Sequence, residues 1–286
     1  MASPLQGNYE ALTAAAKVDL KGAAVTKALL EVVLRGLDFL SGNATPEPLT
    51  SKVPDKEYFD FHLGASSSRP INKALFDFDT PKEVFDSIFA GKAGEVEHGL
   101  LSRALYTAAM AYCATTDLTK SGDQKTPGTY FECFIGHLVA QRYGVNPDKQ
   151  TQVPSLEIIN SLPTDYVFDL GTERRRIHLP IKTSTRERVV QVWAHQRVLD
   201  GIHGRNRFRG LLACLAETNK QTRERAVVEV CLPGQWAVYQ MHIAELHRVY
   251  YLDIPAKYVP LKDTFPHIYV TTFADFFAEA DQLVAT

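Results

Sequence analysis

The sequence predicts an α/β protein, a mixed central sheet flanked by helices, with a helical region at its N-terminal end. Three observations carry that expectation. Apolar residues recur at helical spacing through most of the first 120 residues, strand-like alternation begins only past residue 160, and helical stretches are then interleaved with the strands. With 286 residues, 45% hydrophobic and 22% charged, there is chain enough for one large core or for a catalytic core with a helical extension.

Taken in order, Tyr9 to Leu20 and Val25 to Phe39 read as helices, the second ending near Gly42. The Pro-rich stretch Ala44 to Pro54 reads as a linker or ordered loop. Pro81 to Ala90 and His98 to Thr115 read as further helices, and Ser121 to Gly128 leads into another, with Thr126 as cap and Pro127 as first residue. Strands are expected over Leu211 to Leu215, Ala226 to Leu232 and Val249 to Leu252. A segment around Trp236 to Leu246 lies between the last two, and a strand at Tyr269 and a helix Phe273 to Leu283 close the chain. Residues 1–120 are thus expected as a helical N-terminal region and 121–286 as the core, in one compact unit.

The chemistry concentrates between residues 163 and 196. Asp165, Val167 and Asp169 alternate with Tyr166, Phe168 and Leu170, so a strand here would bury the second set and turn both carboxylates to the other face. In the next run Ile177, Leu179 and Ile181 would fill the core, leaving Arg176, His178, Pro180 and Lys182 on the face of the acids. Acids and a lysine placed together can hold a hard divalent cation and stabilise a phosphate in its transition state, which is what phosphodiester hydrolysis needs. A hairpin with a charged solvent face has the same pattern.

Charge and cysteine usage narrow the class. Net charge is −2, yet residues 171–225 hold thirteen Lys and Arg against five Asp and Glu, a local +8 suited to a phosphate backbone. Arg186, Arg188, Arg205, Asn206, Arg207 and Arg209 are the candidate DNA-binding residues. The loop Gly201 to Gly210 is the recognition element expected among them, because Arg and Asn pair with base edges and glycine permits close approach. Cys113, Cys133, Cys214 and Cys231 are scattered, with no metal-binding spacing, and read as free thiols of a reducing cytoplasm. No signal segment, membrane span or nucleotide-binding Gly-rich loop followed by Lys-Ser or Lys-Thr is read, so neither a membrane nor a nucleotide cofactor is expected.

The segment from Lys125 through Glu132 to Gly144, the two strands, and then Lys182-Thr-Ser-Thr-Arg-Glu-Arg188 resembles the catalytic region of the PD-(D/E)xK nuclease superfamily, and within it the type II restriction endonucleases. The resemblance covers roughly residues 125 to 200. It implies a restriction-endonuclease-like core and Mg²⁺-dependent, sequence-specific cleavage of double-stranded DNA by a homodimer, with the N-terminal helices as dimer or groove-wall contacts. By position, Glu132 matches the family's helix glutamate, Asp165 its strand aspartate and Lys182 its lysine. The family's second acid falls two residues before the lysine, where this chain has Pro180.

A further ligand must then come from elsewhere. Glu132 is one candidate, on a helix whose Phe131, Phe134, Ile135 and Leu138 form an apolar stripe. Asp169 is another, although four strand residues separate it from Asp165 by about 13 Å. Glu187 is the third, but Ser184-Thr-Arg-Glu187 is also a capping box that accounts for it. The backbone carbonyl of Ile181 would join the metal shell. His195 reads as a satisfied, partly buried histidine, His178 as a phosphate contact and Trp193 as core. Other readings are a sequence-tolerant repair or structure-specific nuclease of the same fold, and a non-catalytic DNA-binding protein.

Overall fold

The structure is a computed structural model that describes residues 4–120, 122–123, 125–155 and 158–285. In chain order its elements are α1 (Gln6–Val18), α2 (Ala23–Asn43), β1 (Thr45–Ser51), β2 (Tyr58–Leu63), β3 (Ser66–Ser67), β4 (Ile71–Asn72), α3 (Lys82–Ser87), α4 (His98–Thr119) and α5 (Lys125–Tyr143). There follow β5 (Asp148–Ser155), β6 (Ile158–Phe168), β7 (Arg176–Leu179), β8 (Ile181–Lys182), α6 (Val190–His203) and β9 (Phe208–Cys214). The chain closes with β10 (Thr218–Gln221), β11 (Ala226–Glu229), α7 (Pro233–His242), β12 (Arg248–Tyr251), β13 (Val270–Thr272) and α8 (Phe273–Val284).

Contacts divide the chain into two compact units, residues 1–141 with 217–230, and residues 142–216 with 231–286. The boundary expected at residue 120 falls inside the first of these units. Most of α5 groups with the first unit because its aromatic stripe packs there: Tyr130 stacks on Tyr112 at 4.1 Å and donates its hydroxyl to the Ala108 carbonyl, and Phe134 meets Phe89 edge-on. Its first turn is held by Asp123, whose carboxylate accepts from the Thr126 amide and hydroxyl, so Asp123 has the role expected of Thr126.

The first unit is not wholly helical. The Pro-rich stretch expected as a loop forms β1, antiparallel to β2 and parallel to β11. The prolines are tolerated for a geometric reason. The Thr50 amide donates to the Arg225 carbonyl on the β11 side, and Pro48 and Pro46, two and four residues earlier, would point the same way, where β11 pairs only with Thr50 and Ser51. Their missing N–H groups cost no ladder bond. The β10–β11 hairpin is tied in by Asp60, fully buried, which accepts from Lys220 at 2.9 Å and Arg225 at 3.2 Å.

In the second unit the sheet order is β13-β12-β9-β7-β6-β5, with β8 also on β9. From β13 to β7 neighbours are parallel and from β7 to β5 antiparallel, the mixed sheet expected. One face packs Val192 and Trp193 of α6 and Trp236 of α7 on Leu212, Cys214, Val249 and Tyr251. On the other, Phe276 of α8 meets Tyr143 and Tyr250, and Phe168 lies beside Tyr143 and Tyr166. Thr272 and Asp275 close a capping box at the start of α8.

Covering both faces overturns the expected alternation. Val167 and His178, assigned to the solvent side, are buried along with Tyr166, Phe168, Ile177 and Leu179, because α6 lies across that side and packs Leu199 against Val167 and Phe208. Strands buried on both faces lose the period-two contrast.

Candidate active site

The candidate site in the second unit lies where β6 and β7 part. Their ladder pairs Phe168 with Ile177 and Tyr166 with Leu179, so its next partners would be Asp165 and Pro180. Proline cannot donate to a ladder, and pairing stops there. The single strand expected from Ile177 to Lys182 accordingly breaks at Pro180 into β7 and β8. Beyond the break, the carbonyls of Pro180 and Lys182 accept from the amides of Ala213 on β9 and of Leu215 just after it, so the peptide groups of Ile181 between them face the β6 side. There the Ile181 amide donates to Asp165 Oδ2 at 2.8 Å, and the Lys182 ammonium meets the same oxygen at 2.7 Å. Neither side chain is buried. Asp165 is 20% and Lys182 31% exposed, so the pair is open to a ligand.

Asp165 and Lys182 line a cleft of about 210 Å³ with Pro163, Thr164, Pro180, Gln191, Val192 and His195. Helix α6 supplies the last three because positions 191, 192 and 195 share a face, while Val192, Trp193, Gln196 and Leu199 anchor the helix in the core. His195 was expected to be merely satisfied and partly buried; it borders the cleft. Partial burial holds its pKa below the usual histidine range, the Lys182 charge pushes the same way, and Asp165 opposes them.

His178 is no phosphate contact. It is fully buried, and its Nδ1 lies 3.0 Å from Gln196 Oε1. Gln196 Nε2 donates to Asp200 and to the Phe208 carbonyl, both acceptors, so Oε1 must face the histidine, and Nδ1 carries the proton. Burial drives its pKa down to about 4. An uncharged, enclosed ring offers nothing to a phosphate.

Asp169 is not brought to the site either. It lies past the end of β6, paired to Arg176 at 2.6 Å and accepting from the Gly171 amide in the turn; the register of β6 against β5 shifts between Pro163 and Val167, and that irregularity does not bring Asp169 back to Asp165. Glu132 is half-buried on α5 in the first unit, near enough to Tyr9 for its charge to act there. The Glu187 side chain lies outside the described residues; its backbone is in a 3-10 turn, Arg186–Val189.

The basic residues fall in two groups. Arg186 and Arg188 are exposed in the turn between Lys182 and α6. Arg205, Asn206, Arg207 and Arg209 lie at the opposite end of β9, whose Phe208 pairs with Arg176 and whose Cys214 pairs with Lys182. Six residues of strand put about 20 Å between the groups, so the basic zone does not encircle the acid and lysine as expected. The supposed hinged loop is shorter too: Gly201 is inside α6 and Gly210 inside β9, leaving a tight turn in which Gly204, at φ 89°, ends the helix. Arg207 donates to the Thr172 carbonyl, and Arg209 lies 3.2 Å from His247, whose pKa is lowered to about 4 by burial and then by Arg248 and Arg175.

Among the described residues no three acidic, histidine or cysteine side chains converge as a metal cluster. The cleft still suits one kind of ion. Mg²⁺ keeps much of its water and is held through one or two carboxylates plus substrate phosphates, and a single carboxylate beside a backbone carbonyl matches that donor set. Asp165 Oδ2 takes both hydrogen bonds, so Oδ1 and the Ile181 carbonyl are the oxygens left to offer. Zinc, which wants nitrogen or sulfur donors at fixed tetrahedral positions, has no comparable set here. No helix among the described residues is long and apolar enough to cross a membrane.

No protein-family model and no curated protein matches the chain. Among solved structures it is similar to the type IIP restriction endonuclease Kpn2I, with a TM-score of 0.82 and 25% identity over 97% of this chain and 96% of that one. A complex of the restriction endonuclease PspGI with substrate DNA matches over 67% of this chain and 80% of that one, with 15% identity and a TM-score of 0.39, too distant a likeness to argue from. The Kpn2I match spans nearly the whole of both chains, and it agrees with the resemblance read in residues 125 to 200: the chain has the fold of the type II restriction endonucleases.

Proposed function

We propose that this protein is a type II restriction endonuclease, a Mg²⁺-dependent enzyme that hydrolyses phosphodiester bonds of double-stranded DNA at a short specific sequence. The observation that carries the reading is the Asp165 and Lys182 pair, 2.7 Å apart in the lining of a cleft, in a chain similar over almost its entire length to a type IIP restriction endonuclease. Bound Mg²⁺ would supply charge neutralisation and lower the pKa of the attacking water. Asp165 and the Ile181 carbonyl would hold it. Lys182 places an ammonium group where a phosphate gains negative charge in the transition state, and Asp165 keeps that group in position. Water adds to phosphorus and gives up one proton, the bond from phosphorus to the leaving sugar oxygen breaks, and that oxygen takes a proton from solvent.

Arg186 and Arg188 contact phosphates beside the cleft in this reading, and Arg205, Asn206, Arg207 and Arg209 contact DNA farther away. Glu132, the match to the helix glutamate of the resemblance, is assigned a supporting role in cleavage that Glu132→Gln tests by cleavage rate. A palindromic target requires the same surface at each half-site, and hence a two-fold homodimer.

The test is incubation of wild type and Lys182→Ala with a plasmid of known sequence, with Mg²⁺ and with EDTA. Discrete fragments that require Mg²⁺ and vanish in the variant are expected. A smear would replace the reading with a sequence-tolerant nuclease. Intact plasmid, bound with steep salt dependence, would replace it with a DNA-binding protein.

A further inference from the structure

We infer that His195 is a catalytic residue of the proposed hydrolysis, its imidazole accepting the proton of the water that attacks the phosphorus. The inference rests on the nuclease reading and adds to it a proton acceptor for the attacking water. Of the side chains that line the cleft, Thr164 and Gln191 are not bases, Lys182 donates to Asp165, and Asp165 accepts from Lys182 and from the Ile181 amide through Oδ2 while its Oδ1 is assigned to the metal. Asp169, which could have been a second acid, is held by Arg176 at the far end of β6. His195 is the remaining proton acceptor among these groups.

Its setting differs from that of the chain's enclosed histidines. His137 is fully buried, with its Nδ1 2.6 Å from the Leu20 carbonyl and its Nε2 3.0 Å from the Phe89 carbonyl. His178 is enclosed against Gln196. His195 is half-buried and borders open space, 6.4 Å ring to ring from His178, on a helix fixed by the buried Val192, Trp193, Gln196 and Leu199 around it. A group that must meet water needs a fixed base and an open ring, and this position supplies both. It lines the same cleft as Lys182 and Asp165, and the charges of both act on it.

The step balances without a further reagent. As the new bond from water oxygen to phosphorus forms, one water proton passes to the unprotonated ring nitrogen of His195. The sugar oxygen leaves with the electron pair of the broken bond and is protonated by solvent. His195 then returns its proton to bulk water through the open side of the cleft.

The decisive experiment is single-turnover cleavage by His195→Gly and His195→Gln, with and without added imidazole, alongside DNA affinity measured in EDTA. General-base loss is expected to slow both variants by about 10²-fold or more. DNA affinity should stay within about twofold of wild type, because a base acting only in the chemical step does not contribute to ground-state binding. Imidazole should restore part of the rate of His195→Gly, where a cavity admits it, and not that of His195→Gln. A His195→Gly rate within about threefold of wild type, or a slow variant that imidazole does not accelerate, overturns the role of His195 while wild-type cleavage keeps the nuclease reading. A wild type that cuts no DNA overturns both.

Discussion

Asp165 and Lys182 meet at 2.7 Å where two strands separate, and the Asp165 oxygen that binds the ammonium also takes the amide proton of Ile181. One proline produces this arrangement. Pro180 ends the ladder between β6 and β7, and the carboxylate then occupies the hydrogen-bonding direction that a continuing strand would have used. The residue that removes the family's expected acid thus also fixes the aspartate that remains.

The double role of Asp165 gives a stability ordering. Asp165→Asn loses the charge pair but keeps an oxygen for the Ile181 amide, so it should unfold close to wild type, since a part-exposed ion pair contributes little. Asp165→Ala also leaves a part-buried N–H unpaired and should cost a further 1–3 kcal/mol or so. Denaturant midpoints of the two variants check this. Equal midpoints would mean that the amide finds water instead.

His178 predicts an acid-sensitive fold. Its native pKa is lowered to about 4, against about 6.5 in an unfolded chain, so between those values the unfolded state binds more protons and stability falls with pH. The loss begins as pH drops through 6.5, saturates near 4, and reaches about 3 kcal/mol. His178→Asn, although less stable at neutral pH, should show a flatter decline from pH 6.5 to 4 in chemical denaturation; parallel curves would assign the decline elsewhere, for example to His247.

Gly210 is needed for packing. A methyl group there would lie 2.6 Å from Gln196 Oε1 and 3.0 Å from Leu246 Cδ2, and Gln196 cannot swing aside without releasing His178, Asp200 and the Phe208 carbonyl. Gly210→Ala should cost about 1–3 kcal/mol, read as a lower midpoint of thermal or denaturant unfolding.

Arg205 is exposed in the turn after α6, so its removal should not disturb the core. If it binds a DNA phosphate, Arg205→Ala will weaken binding alike for all sequences and reduce the slope of log affinity against log salt by about 0.9. An unchanged slope would remove this turn from the DNA interface.

From the sequence alone came the class of fold, most helices, and the expectation that Asp165 and Lys182 lie close together, which they do at 2.7 Å. Amphipathic periodicity survives in helices such as Phe273–Val284, and Asp165 and Lys182 fall on neighbouring strands by spacing alone. The strand β1 was not legible because prolines mark a loop unless the partner strand is known to stop short of them. Nor were the burial of His178, the capture of Asp169 by Arg176, or the 20 Å or so between the two basic groups. Each depends on where α6 crosses the sheet and where β9 enters it, and such contacts join residues whose separation along the chain says nothing of their distance. His195 shows the limit most directly: its sequence neighbours mark a helix face, and only the packing of that helix puts the ring beside Asp165 and Lys182. Local patterns are written in adjacent residues, whereas a site is assembled from chain segments that only the folded core holds together.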